Sequence, residues 1–526
     1  MSVKSPYKVV SFTFDEMLSL IRGTSSDGTA SKNLLENQHL KYCYEYLNDL
    51  GAKTIVLESR YIDHDYLEDY AGYYVRCFNR YRRTTSRLHF FSNSFNSTQF
   101  KTVILNSPQG RLGKQLDSNY LGFMVLKPLP QTIVGRTCFK TYPDDGNRRH
   151  FPTLHKYSSN LFGLPLTVNS LAYQEQDKVV AACATSALWS VFQGSGKIFH
   201  HSIPSPVEIT KAASLHIPDA GLVPHDARSL HHSGLTPTQI AHGVRSVGME
   251  PYLVGASNEF VIKTTAYAYL KAKIPALLGI SLIDESIVGN PQDLGKHAVA
   301  ITGYSLGHAN PIPYNNGILI AASRIDKIYV HDDQIGPFAK MVFSPENRLK
   351  TDWMDSTGNR GGVLADPFML VIPLYHKIRI PYQIVFNKIA EFDVVLDALR
   401  VNALMPISTR LEWDIYLTDV NEVKREISKL KLLDKKTKQN ALLINMPKYL
   451  WRATGIDSGV NKLDVLFDAT DIEQGAIVVA IVVYDTALKQ YLELLNPIVS
   501  IHTQISESVK MLFDKIANPT IFKPFE

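Results

Sequence analysis

The stretch from Gln174 to Trp189 constrains this chain more than any other. A polar segment, Gln174-Glu175-Gln176-Asp177-Lys178, runs into the small and apolar residues Val179-Val180-Ala181-Ala182. A single cysteine follows, and then the apolar helical pattern Ala184-Thr185-Ser186-Ala187-Leu188-Trp189. The pattern predicts a buried helix with the Cys183 thiol in its first turn. A helix N-terminus carries partial positive charge and unpaired backbone N–H groups, and both favour a thiolate over a thiol. The thiolate is the nucleophilic form of cysteine. Cys183 is therefore expected to be a nucleophile, and the rest of the chain must supply its partners.

A catalytic thiolate needs an imidazole within hydrogen-bond reach, a group that orients the imidazole, and donors for an oxyanion. Of the 17 histidines, His297 has the most suitable surroundings. Gly295-Lys296-His297 opens the run Ala298-Val299-Ala300-Ile301, which ends at Thr302-Gly303-Tyr304. That places the imidazole at the start of a buried strand. Ile328-Tyr329-Val330-His331-Asp332-Asp333 reads as a second strand ending in two acids before Gly336-Pro337. Asp332 or Asp333 could accept the imidazole N–H, if this strand lies beside the first. Gln176, seven residues before Cys183, is the candidate side-chain donor to an oxyanion, with Gln174 as the second choice.

Two segments lie between these residues. Thr236-Pro237 reads as a helix cap with proline at the first helical position, and Gly248 reads as its stop. Thr264 to Leu270 reads as a helix feeding a buried strand, Ile274 to Ile280, which should pair beside the His297 strand. Taken in order, residues 165 to 345 resemble papain-like peptidases of the kind that process bacteriocin double-glycine leaders. Those proteins carry Gln, then Cys on a helix, then a Gly-His-apolar strand, then a strand ending in Asp. The resemblance implies an α+β, papain-like core, with the cysteine helix packed on an antiparallel sheet that carries the histidine and the acid. It implies Cys183, His297, Asp332 and Gln176 as the catalytic set, with no cofactor or metal. The sequence departs from the family where Ala184 replaces the usual glycine after the cysteine, and where Gln176 lies one residue further from Cys183 than in many members. Those leader peptidases are commonly joined to membrane transporters, so leader cleavage is not carried over.

The remaining sequence sets the frame. At 526 residues the chain exceeds a single core. Three regions are expected: an α+β region over 1–160, the papain-like region over 161–375, and another α+β region over 376–526, with no role legible for the outer two. The net charge of +5 is small for this length, and Arg80-Tyr81-Arg82-Arg83 is its densest basic cluster. This argues against nucleic acid as the partner. Four scattered cysteines form neither a disulfide framework nor a CxxC metal motif, which fits a reducing compartment. The longest apolar run, Ala476 to Tyr484, is nine residues, whereas a membrane helix needs about 20. It reads as a buried strand, and a cytoplasmic chain is expected. Cys77 and Cys138 read as core residues, and Asp63-His64-Asp65 as the cap of a surface helix. Lys377 to Phe386 reads as a strand and Lys435-Lys436-Thr437-Lys438 as a solvated turn. The expected function is an intracellular cysteine peptidase acting on a protein or peptide substrate. An acyl or amide transferase on the same scaffold, or an inactive papain-like binding module, are the alternatives. The sequence leaves the oligomeric state open.

Overall fold

The computed structural model describes residues 5–24, 34, 37–106, 108–130, 132–177, 182–215, 234–256, 258–287, 289–402, 405–430, 435–472 and 477–519. Lys178 to Ala181, ahead of Cys183, lie outside the described residues, as do 473–476 at the head of the expected strand. The chain is a mixed α+β protein that forms two compact units. The first comprises 1–257, 273–305 and 327–373, and the second 258–272, 306–326 and 374–526. Most of the first two expected regions share one unit.

The first unit begins with a five-stranded antiparallel meander: Tyr7–Ser11, Thr54–Tyr61, Thr85–Phe91, Tyr120–Leu126 and Val134–Phe139. Helices Phe14–Thr24 and Gln38–Asp49 bury one face each, as their apolar spacing requires. Asp63 caps helix His64–Gly72, its Oδ1 accepting from the Tyr66 N–H at 3.0 Å, so the capping role expected of this acid is seen. A hairpin, His155–Leu161 with Leu164–Ser170, leads to the cysteine helix, Cys183–Phe199.

The site is carried by a closed six-stranded barrel. Its strands are Ala276–Asp284, Gln292–Leu306, Ile325–Asp332, Gly336–Ser344, Arg348–Lys350 and Val363–Leu374, and pairing of the first with the last closes it. Residues such as Leu277, Val299, Ile301 and Val330 are buried in near-continuous apolar runs because both faces of these strands are covered. The expected pairing beside the histidine strand is present, with Ile280 opposite His297. The cysteine helix packs on Ala276–Asp284. Their approach is close: a Cβ on Gly194 would lie 2.7 Å from Pro275 Cγ, so only glycine is accommodated there.

The second unit is built on another five-stranded sheet, ordered Leu319–Ile320, Glu412–Asp419, Tyr449–Asp457, Val460–Asp468 and Val478–Val483. Val478–Val483 is the edge strand and only partly buried, which differs from the fully buried strand expected. Two further expectations fail. Lys377 to Pro381 is irregular, and Tyr382 opens helix Tyr382–Asn402. Tyr382, Val385, Phe386 and Ile389 recur at helical spacing and bury one face, and that period overrides the local β-branched bias. Lys435 to Lys438 form the first turn of helix Lys435–Leu443 instead of a free turn, because Ala441 buries against Val423, Ile427 and Leu450.

Candidate active site

Cys183 is the first residue of its helix, as its neighbours predict. Ala182 provides no capping side chain. The Thr185 hydroxyl reaches back instead and accepts from the Ala182 N–H at 3.3 Å. The thiol is half-buried, beside a helix terminus that stabilises negative charge.

His297 lies in the strand Gln292–Leu306, buried, with the Cys183 side chain among the groups that raise its pKa. Its Nε2 lies 3.0 Å from Asp332 Oδ1, at the end of the strand next to it in the barrel. Nδ1 is thereby left as the ring nitrogen for the thiol. Burial alone would depress the imidazolium. The Asp332 carboxylate, its hydrogen bond to the ring, the Cys183 side chain and the nearby Asp333 together outweigh it and hold the His297 pKa well above 6.5. Burial opposes ionisation of Asp332 as well, but His297, Trp353 and the Gln334 N–H together keep its pKa below the ordinary value.

Asp332 is fixed from three directions. Its Oδ1 also accepts from the Gln334 N–H at 3.1 Å, and its Oδ2 from Trp353 Nε1 at 2.9 Å. The Trp353 ring meets His297 edge to face, with centroids 5.4 Å apart. Tyr173 donates its hydroxyl to the Asp332 carbonyl at 3.3 Å and lies 2.7 Å from His39 Nε2. Burial pushes His39 down to about 4 and Glu175, next to Tyr173 in sequence, up to about 7.

Asp333 differs from its neighbour. Oδ1 lies 3.5 Å from His297 Nε2, yet neither carboxylate oxygen has a hydrogen-bond partner among the described residues. Burial drives its pKa up to about 7 against the pull of His297, and the Asp332 charge adds to the rise. Of the two glutamines, Gln174 is buried and its Nε2 has no hydrogen-bond partner among the described residues, whereas Gln176 is half-buried.

The other thiols have no comparable company. Burial pushes Cys43 and Cys138 well above the ordinary thiol value, and Cys77 rests on the Tyr73 carbonyl. All four cysteines are free. Two acids further along the chain serve structure: Asp468 Oδ1 accepts from the Thr470 N–H and hydroxyl, and Asp464 pairs with Arg452. Trp353, Tyr173 and His39 were not singled out by sequence reasoning. No spacing ties them to Cys183; only the closure of the barrel and the packing of helix Gln38–Asp49 bring them in. Among the described residues no helix is long and apolar enough to cross a membrane. No protein-family model and no curated protein matches the chain.

Proposed function

We propose that the chain is a cysteine hydrolase with a papain-like site that cleaves an amide bond in a peptide or protein. The observation that carries this reading is His297, hydrogen-bonded to Asp332 through Nε2 and interacting with the Cys183 side chain. His297 takes the thiol proton on Nδ1 while Asp332 holds the Nε2–H, so the imidazole keeps one tautomer and one orientation. The thiolate attacks the carbonyl carbon. The Cys183 backbone N–H, at the helix terminus, and a glutamine side-chain amide stabilise the oxyanion. Gln174 is the better donor of the two, since its amide is buried without another partner. Collapse of the tetrahedral intermediate breaks the C–N bond, His297 protonates the leaving amine, and water then resolves the thioester. An amine acceptor in place of water would make the same site a transferase. Four free thiols suit a reducing, intracellular setting.

The test is alkylation of the full-length protein with limiting iodoacetamide, read by peptide mass spectrometry. Cys183 is expected to be modified at least tenfold faster than Cys43, Cys77 and Cys138, and His297→Ala is expected to abolish that preference. Uniform labelling, or a preference that survives His297→Ala, would sink the proposal. A peptide library incubated with and without a primary amine then separates hydrolysis from transfer by product mass.

A further inference from the structure

The far side of His297 carries a feature the hydrolytic reading does not use. His297 Nε2, Asp332 and Asp333 offer three ligand atoms that all lie within 4.8 Å of one another, in a buried setting. Nε2 is 3.0 Å from Asp332 Oδ1 and 3.5 Å from Asp333 Oδ1. Two ligands held at about 2.0–2.2 Å from a tetrahedral ion stand roughly 3.3–3.5 Å apart, close to the spacing of Nε2 from each carboxylate. Asp332 is already oriented by donors from Trp353 and Gln334, the kind of outer support that metal-ligating carboxylates have.

Asp333 makes a second, independent argument. Only 4% of its surface is exposed, and both its oxygens are without hydrogen bonds among the described residues. A buried carboxylate costs several kcal/mol of solvation unless something compensates it. Turn formation does not explain its placement, since the Gln334 N–H is capped by Asp332 instead. The group is aimed at the same imidazole nitrogen as its neighbour.

We propose that His297, Asp332 and Asp333 form a binding site for a divalent first-row transition metal of the zinc class. One imidazole nitrogen and two carboxylate oxygens are a donor set suited to such an ion, with a fourth position left for water. Binding expels the Nε2 proton to solvent. A neutral imidazole held by a metal through Nε2 keeps its one proton on Nδ1, facing Cys183, and can give it to a leaving amine only by becoming an imidazolate. The ion thus competes with catalysis without touching the sulfur. The metal site stands on the donor geometry and does not depend on the peptidase reading.

The experiment titrates the full-length protein with Co2+ and follows the visible d–d bands. One ion per chain is expected, with no sulfur-to-cobalt charge-transfer band in the near ultraviolet. Cys183→Ala is expected to bind Co2+ within twofold of the native protein. Asp333→Asn and His297→Gln, each shown to be folded by circular dichroism, are expected to weaken binding at least tenfold. Two variants are used so that misfolding of one leaves the other decisive. Absence of binding to the native protein, loss of binding in Cys183→Ala, or unaltered affinity in either folded ligand variant would overturn the proposal.

Discussion

A buried ion pair on the sheet of the second unit and another on the barrel of the first are built to opposite ends. In the second unit, Arg452 donates from Nε to Asp464 Oδ2 at 2.8 Å and also pairs with Glu426. Asp464 accepts in addition from the Thr454 hydroxyl at 2.6 Å and from the Tyr484 hydroxyl. Both charges are held by several partners, and a guanidinium does not titrate in any accessible range. In the first unit, the His297–Asp332 pair uses a base that does titrate. One imidazole nitrogen is turned to a thiol, and a second acid, Asp333, is left without hydrogen bonds. A buried charge whose valences are filled holds a fold together. A buried charge with valences to spare can move a proton or take a ligand.

The largest expected effects test that contrast directly. His297→Ala is expected to slow iodoacetamide alkylation of Cys183 at least 10²-fold at pH 7, the low end of what a positioned base contributes. Arg452→Ala is expected to leave that alkylation rate unchanged while destabilising the second unit by about 3–5 kcal/mol, because Asp464 is then buried without its counter-charge. Hydrogen exchange along strand Tyr449–Asp457 measures the loss. A fall in Cys183 reactivity in Arg452→Ala would erase the distinction between the two pairs.

The next effect concerns pH. The folded pKa of His297 lies above its ordinary 6.5, so the stabilisation from the pair is complete below 6.5 and is lost as pH rises through the higher folded value. The folded pKa of Asp332 lies below its ordinary 3.8, so the stabilisation is complete above 3.8 and is lost as pH falls through the lower folded value. Asp332→Asn is expected to move the His297 titration, read by NMR, down by about 1–3 pH units. Retention of the elevated titration would show that Asp333 alone holds the imidazolium.

How much of this was legible in the sequence follows from the range of each interaction. Cys183 at its helix start, the strand beside the His297 strand, and the Asp63 cap were readable because each element is written in one short stretch of sequence. The helix at Tyr382 was misread because Lys377 to Phe386 alternates over a short window, while the period that decides it extends to Ile389 and Leu396. Trp353, Tyr173 and His39 reach the site only through long-range packing, and nothing in their own neighbourhoods marks them. Asp332 and Asp333 are adjacent and chemically identical in sequence. Only the geometry separates the one whose carboxylate has three hydrogen-bond partners from the one with an ion-pair distance and no hydrogen bond.

The smallest expected effect comes from Trp353, and it tests how far the pair depends on its cover. Trp353→Phe keeps an aromatic edge against His297 but removes the Nε1 donor to Asp332 Oδ2. A hydrogen bond to a charged group contributes about 1.5–3 kcal/mol, and part of this loss is recovered if water reaches the vacated oxygen. Asp332 keeps His297 and the Gln334 N–H, so its carboxylate stays ionised at neutral pH with a pKa shifted upward. Without the indole donor the carboxylate is held less firmly against His297, which lowers the His297 titration, though by less than Asp332→Asn does, and slows Cys183 alkylation by less than about tenfold at pH 7. The acid limb of stability moves to higher pH for the same reason. If Trp353→Phe matched Asp332→Asn in both readouts, the indole would be holding the acid in place outright, and the unfilled valences of the first unit would depend on a cover that the Arg452 pair does not need.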